Sequence, residues 1–179
     1  MTADKKEPWL NYLALTTVIL AVCATLSTFK GGGNSTRAML SQTQASDQWA
    51  FYQAKSIKGY LYDLQRDQLA LDLKAGVAAM PPEVAAEYKA RLDSYAAKVK
   101  KYDDEKAGIE KIAREKEQVR DDALKHGRHF GVAVIYLQIA ILLSSIAALL
   151  KKKPVWLLGL ATGLVGVFYF LNGFWLFMP

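Results

Sequence analysis

Apolar positions along this chain fall into two regimes. In three runs, Leu10–Phe29, Phe130–Leu150 and Val155–Met178, 20 or more residues pass without a Lys, Arg, Asp or Glu. A helix rising about 1.5 Å per residue carries each run across a hydrocarbon layer about 30 Å thick. Between the first two runs lie about a hundred polar residues whose apolar positions recur at alternating steps of four and three. Ala50, Ala54, Ile57, Leu61, Leu64, Gln68, Leu71 and Ala75 form one series. Ala85, Tyr88, Leu92, Tyr95, Val99 and Tyr102 form a second, which meets Lys106 and resumes through Ile109, Ile112, Lys116, Val119 and Ala123. That spacing predicts coiled-coil seams, with Ile57, Leu61, Leu64, Leu92 and Val99 as packing or oligomer contacts and a local packing defect at Lys106. Both seams are rich in alanine and tyrosine, so burial against further copies is expected to add stability.

The breaks in the pattern predict the connections. Met80-Pro81-Pro82 divides the polar stretch into helices over 35–79 and 82–128, because a residue before proline leaves the helical region and proline suits a first helical turn. Gly31-Gly32-Gly33 predicts a break after the first apolar helix, with Asn34 or Ser35 as the next N-cap. Gly127 and Gly131 predict a bend where the chain returns to apolar sequence. Lys151-Lys152-Lys153-Pro154 leaves room only for a tight loop, with Pro154 stopping the second apolar helix. The expected fold is all-α: three transmembrane helices and a long antiparallel coiled-coil hairpin, about 65 Å in length. Its parts are 1–29, 30–129 with a corner near 80–82, and 130–179. The tip, Ala78–Glu83 with Met80, Pro81 and Pro82, is the surface expected to meet a protein partner.

Charge sets the location and excludes one class of partner. Residues 30–129 hold 18 Lys and Arg against 15 Asp and Glu, and the rest of the +6 net charge comes from Lys151–Lys153. That is a lysine triplet plus mixed-charge helix surfaces, so no nucleic acid is expected as a partner. A short basic loop resists translocation, which places Lys151–Lys153 and the N-terminus in the cytoplasm and the hairpin in the periplasm of a bacterial inner membrane. Trp9, Tyr12, Trp156, Phe174, Trp175 and Phe177 stand at run ends, where ring bodies meet lipid and polar tips meet headgroups. Lys125, His126, Arg128 and His129, with Lys151–Lys153, are expected to meet those headgroups.

Few residues suggest chemistry. Cys23 is the one cysteine, which excludes an intrachain disulfide, and Val22 spoils a lipoprotein cleavage box. No A-x-A site follows the first run, which therefore reads as a retained anchor. His126 and His129 share a helix face, but two ligands from one helix do not close a metal shell. No phosphate loop, nucleophile elbow or clustered Cys/His pattern occurs, and no metal, cofactor or catalytic residue is expected. Gln138 lies deep in the second run and is expected to bind a neighbouring helix, whereas Asn11 and Asn172 read as interfacial. Gly159, Gly163 and Gly166 form a small-residue face for helix packing or self-association. Trp49, Phe51, Tyr52, Tyr60 and Tyr62 read as a core stripe, and Asp63, Asp67 and Asp72 as a solvated face.

Lys30-Gly31-Gly32-Gly33-Asn34-Ser35-Thr36, with Gln44-Ala45-Ser46-Asp47-Gln48-Trp49-Ala50-Phe51-Tyr52-Gln53-Ala54-Lys55-Ser56, resembles a family of bacterial membrane proteins catalogued only as a domain of unknown function. The likeness spans nearly the whole chain. It implies an inner-membrane location and brings no catalytic or binding residues. The function expected is a non-enzymatic, self-associating scaffold or adaptor. The alternative is a multimeric pore lined by Gln138, Ser144 and Ser145.

Overall fold

The computed structural model describes residues 8–76 and 80–178, so Ala78 and Ala79 of the expected tip lie outside the described residues. The described chain is helical, without strands. It comprises α1 (Pro8–Gly76), α2 (Pro82–Leu150) and α3 (Lys153–Trp175). Each contains a stretch long and apolar enough to cross a membrane.

The expected break at the glycine triplet is absent, and α2 is continuous where a bend is expected. α1 runs through Gly31–Gly33 and α2 through Gly127 and Gly131, and no described glycine has a positive φ. Glycine is a poor helix former, but tertiary contact overrides that preference here. A Cβ on Gly31 would stand 3.4 Å from the Cβ of Phe130, and one on Gly127 would stand 3.6 Å from that of Asn34. These glycines bring α1 and α2 together. Asn34 consequently lies within a helix instead of capping one. Gly33 faces open space. Gly33→Ala should therefore raise the melting free energy by about 0.8–1 kcal/mol, and a lower melting temperature in detergent would show that the glycine is needed as a joint.

The expected corners are present with altered detail. Pro81 supplies the carbonyl that accepts the Ala85 N–H at 3.1 Å, and Pro82 opens α2. Beyond Leu150, Lys151 takes a left-handed φ of 49°. Pro154 does not stop α2. It sits in the first turn of α3, where a missing N–H costs nothing.

Residues 8–76 and 80–178 divide into two compact units. The first, Met1–Leu40 with Val119–Pro179, holds the apolar lengths of all three helices. Leu20, Ala24, Ala133, Leu137 and Ala140 form its centre, with Val167 and Phe170 packed on them. Trp9 and Trp156 meet at one end, ring centroids 6.0 Å apart, and the Trp156 Nε1–H donates to Thr16 Oγ1 at 3.3 Å. Phe130 closes the other end against Phe170 and Phe174. Most Ser and Thr hydroxyls within the runs, Ser144 excepted, donate back to their own helix, as Thr17 does to the Leu13 carbonyl and Ser27 to that of Cys23. No lone donor then faces hydrocarbon at those positions.

The second unit, Ser41–Gln118, pairs segments of α1 and α2. Trp49 Nε1–H donates to Glu117, Lys55 meets Glu105 at 2.6 Å, and Tyr62 stacks on Tyr102. Rising numbers on one helix meet falling numbers on the other, so the segments are antiparallel. The expected same-helix pairs form, Glu87 with Arg91 and Glu110 with Arg114. At Lys106 a charged contact takes the place of the expected defect. Its ammonium bonds Asp103 at 2.7 Å and lies 5.9 and 5.7 Å from the Tyr52 and Tyr60 ring centres. The Asp103 hydrogen bond raises the Lys106 pKa and keeps the charge in place.

Candidate functional site

Helix α3 is held in the first unit by its glycines. Gly159, Gly163, Gly166 and Gly173 are buried, and each admits a neighbour where a side chain would stand. A Cβ on Gly159 would lie 3.2 Å from the Ala140 carbonyl oxygen, and one on Gly163 would lie 3.0 Å from Leu20 Cδ1. On Gly166 it would lie 2.8 Å from Leu137 Cγ and 3.0 Å from the Leu137 backbone nitrogen. The glycine face is therefore covered by the chain's own helices, in keeping with helix packing, the first of its two expected uses. Gln138 does not join it. That residue is exposed on another face of α2, as is Ser145, while Ser144 is buried beside Gly159. The three residues expected to line a pore do not share a face.

The C-terminal end of α3 forms the densest polar cluster of the unit. Leu176 caps the helix in a left-handed conformation, its N–H donating to the Asn172 carbonyl at 2.8 Å. The Asn172 side chain, expected to be interfacial, is 1% exposed. Its Oδ1 accepts the Met178 N–H at 2.9 Å, which fixes the amide orientation. Its Nδ2 then donates to the Met178 carbonyl and to Nδ1 of His129, at 3.1 and 3.2 Å. His129 Nδ1 is thereby an acceptor. The Nδ1–H of His126 donates to the Gly173 carbonyl at 2.7 Å. Both histidines thus tie α2 to the end of α3. Asn172 escaped sequence reasoning because its depth follows from where the chain turns after Trp175. The available signal was an Asn-Gly pair closing an apolar run.

Beside this latch, Lys125, Arg128, His129, Leu176 and Met178 line a cavity of about 480 Å³, part basic and part apolar. Three residues expected at headgroups meet there, while His126 turns to Gly173. Lys151–Lys153 lie at the other end of the unit, where the Lys153 ammonium stands 6.0 Å from a Trp9 ring centre.

In the second unit the two expected seams fare differently. Leu92 and Val99 are half-buried on α2, in the series that continues to the buried Ile109. Ile57, Leu61 and Leu64 are exposed, because α1 turns Ala45, Trp49, Tyr52, Gly59 and Tyr62 toward α2 instead. Phe51 and Tyr60 of the aromatic stripe are exposed as well. Asp63 and Asp67 flank Arg66, at 2.6 and 3.1 Å. Met80 is half-buried near Gly76, and Pro81 and Pro82 are exposed.

A family model for a domain of unknown function, DUF4337, matches residues 9–176. The chain belongs to that family. No curated protein and no solved structure matches it. For DUF4337 the match reaches from the start of α1 to the end of α3, so the features above, Met178 apart, stand within the family domain.

The Lys55–Glu105 pair gives a pH prediction. The hydrogen bond from Lys55 holds the Glu105 carboxyl below its ordinary range. A lowered folded-state pKa adds stability in full above the ordinary carboxylate value, and that stability is lost as pH falls through the depressed one. Acidification should therefore lower the melting temperature less in Glu105→Gln than in the unaltered protein. Parallel acid profiles would refute the coupling.

Proposed function

We propose that this DUF4337 chain is a non-enzymatic integral membrane scaffold of the bacterial inner membrane. It self-associates and presents a coiled-coil hairpin, the paired segments of α1 and α2, on the periplasmic side. The observation that carries this reading is the outer surface of the first unit. Leu15, Val22, Leu142, Leu149, Leu157 and Leu164 all face outward, Leu149 with 83% of its surface exposed. Such a surface is costly in water and at home in hydrocarbon. The runs beneath it hold no Lys, Arg, His, Asp or Glu, which favours a scaffold over an ion-coupled transporter. The hairpin corner, including Met80, Pro81 and Pro82, remains the surface proposed for a protein partner.

Gln138 supports self-association. Its amide lies in mid-run on the exposed face of α2, without a hydrogen-bond partner among the described residues. An amide in hydrocarbon gains about 1 kcal/mol by bonding a neighbouring helix. The intact complex, released from its native membrane by mild detergent and weighed, should have a mass of two or more whole chains. A mass of one chain would overturn self-association. One chain with a different protein would make the hairpin an adaptor.

A further inference from the structure

α1 carries two seams in the second unit, and only one is occupied. Ala45, Trp49, Tyr52, Gly59 and Tyr62 face α2. The other seam, Ile57, Leu61, Leu64, Gln68 and Leu71, runs from Ala50 to Ala75 at unbroken steps of four and three, and every member is exposed. Ile57, Leu61, Leu64 and Leu71 each leave 56–67% of their surface uncovered. A solvated face has no use for large aliphatics at this spacing. The period is also decisive. A straight helix has about 3.6 residues per turn, so a strict 3.5-residue stripe drifts about 20° per heptad unless the helix winds around a partner. Holding the stripe over residues 50–75 therefore points to a supercoiled neighbour.

We propose that the neighbour is α1 of a second copy, parallel and in register, so that each residue of the seam meets itself. This rests on the reading of the chain as a self-associating membrane scaffold and names the surface used. Copies inserted in one membrane with one orientation run their first helices in the same direction. Equivalent residues then stand opposite each other without any adjustment. The composition fits self-pairing. Leu64 and Leu71 occupy the position that favours leucine in parallel pairs, Ile57 and Leu61 stand in the reverse arrangement that admits more than two copies, and Ala54 and Ala75 place small against small. Gln68 is the polar member at a seam position. Its amide both donates and accepts, so it bonds its own equivalent and fixes the register.

One flanking contact opposes the pair, since parallel register sets Asp67 near Asp72 of the second copy. Arg66, 3.1 Å from Asp67 in its own chain, offsets part of that repulsion. This makes a sharp test, because Asp72→Lys turns the repulsion into attraction at two symmetric places. The dissociation concentration should fall roughly fivefold.

The direct experiment uses the full chain in its native membrane, with Cys23→Ser removing the one natural thiol. Leu64→Cys and Leu71→Cys, introduced singly and oxidised with copper phenanthroline, should give disulfide-linked homodimers. Ala97→Cys, exposed on α2, should not. A complex of two or more copies without crosslinking at either seam position overturns this interface and leaves self-association standing. A one-chain mass overturns both readings. Equal crosslinking at Ala97→Cys, or weaker association with Asp72→Lys, overturns the parallel seam.

Discussion

Gly166→Leu should detach α3 from α2 and lower the melting temperature of the detergent-solubilised protein more than any other single change to the glycine face. The first atom added would already stand 2.8 Å from Leu137 Cγ and 3.0 Å from the Leu137 backbone nitrogen. A side-chain tip can rotate away, but the backbone of a helix cannot move without the helix. Gly166→Ala should therefore cost about 1–3 kcal/mol, and leucine more. Gly163→Ala should cost less, because the atoms it meets are the methyl ends of Leu20. Gly131→Ala, which meets nothing within 4 Å, should stabilise as Gly33→Ala does. Thermal unfolding followed by circular dichroism ranks the four variants. Equal melting of Gly166→Leu and Gly131→Ala would show that α3 does not pack through this notch.

Phe130→Ala is the second large effect expected. Phe130 is 2% exposed and joins its own helix, α2, to both α1 and α3. Its ring stands edge-on to Phe174 with centroids 5.0 Å apart, it fills the space left by Gly173, and its Cβ lies beside Gly31 of α1. Truncating a buried phenylalanine in a water-soluble core costs about 3–5 kcal/mol. Here about 3 kcal/mol is expected, because the alternative surroundings are partly hydrocarbon and the loss is mainly one of packing. The His126 and Asn172 contacts lie in the same corner, so Phe130→Ala should also loosen the end of α3. Faster amide hydrogen exchange at Gly173–Met178 would register this. Unchanged exchange there would mean that the polar latch stands without the aromatic cluster.

The helices were legible because a run of 20 or more uncharged residues has few other fates, and the α1–α2 corner because Pro81-Pro82 forbids continuation. The glycine triplet misled because propensity is local while Gly31 is held by contact with Phe130, a residue 99 positions away. The seam of α1 could not be assigned from periodicity alone. Two stripes with the same period share that helix, and only the positions of Trp49, Tyr52 and Tyr62 against α2 decide which is inward. On α2 the less exposed positions Leu92, Val99 and Ile109 follow the periodic series, whose flanking positions are rich in charge. The Asn172-Gly173 pair marks the helix end but not the depth of Asn172, whose burial depends on Leu176 turning left-handed after the helix ends.

The notched contacts of α3 also bear on how the protein is made. Gly163 receives Leu20 from α1, while Gly159 and Gly166 receive Ala140 and Leu137 from α2. α3 follows α1 and α2 in the chain, and the surface it fits exists only where those two stand side by side. Docking of α3 should accordingly follow the pairing of α1 with α2 and depend on that pair being correctly set.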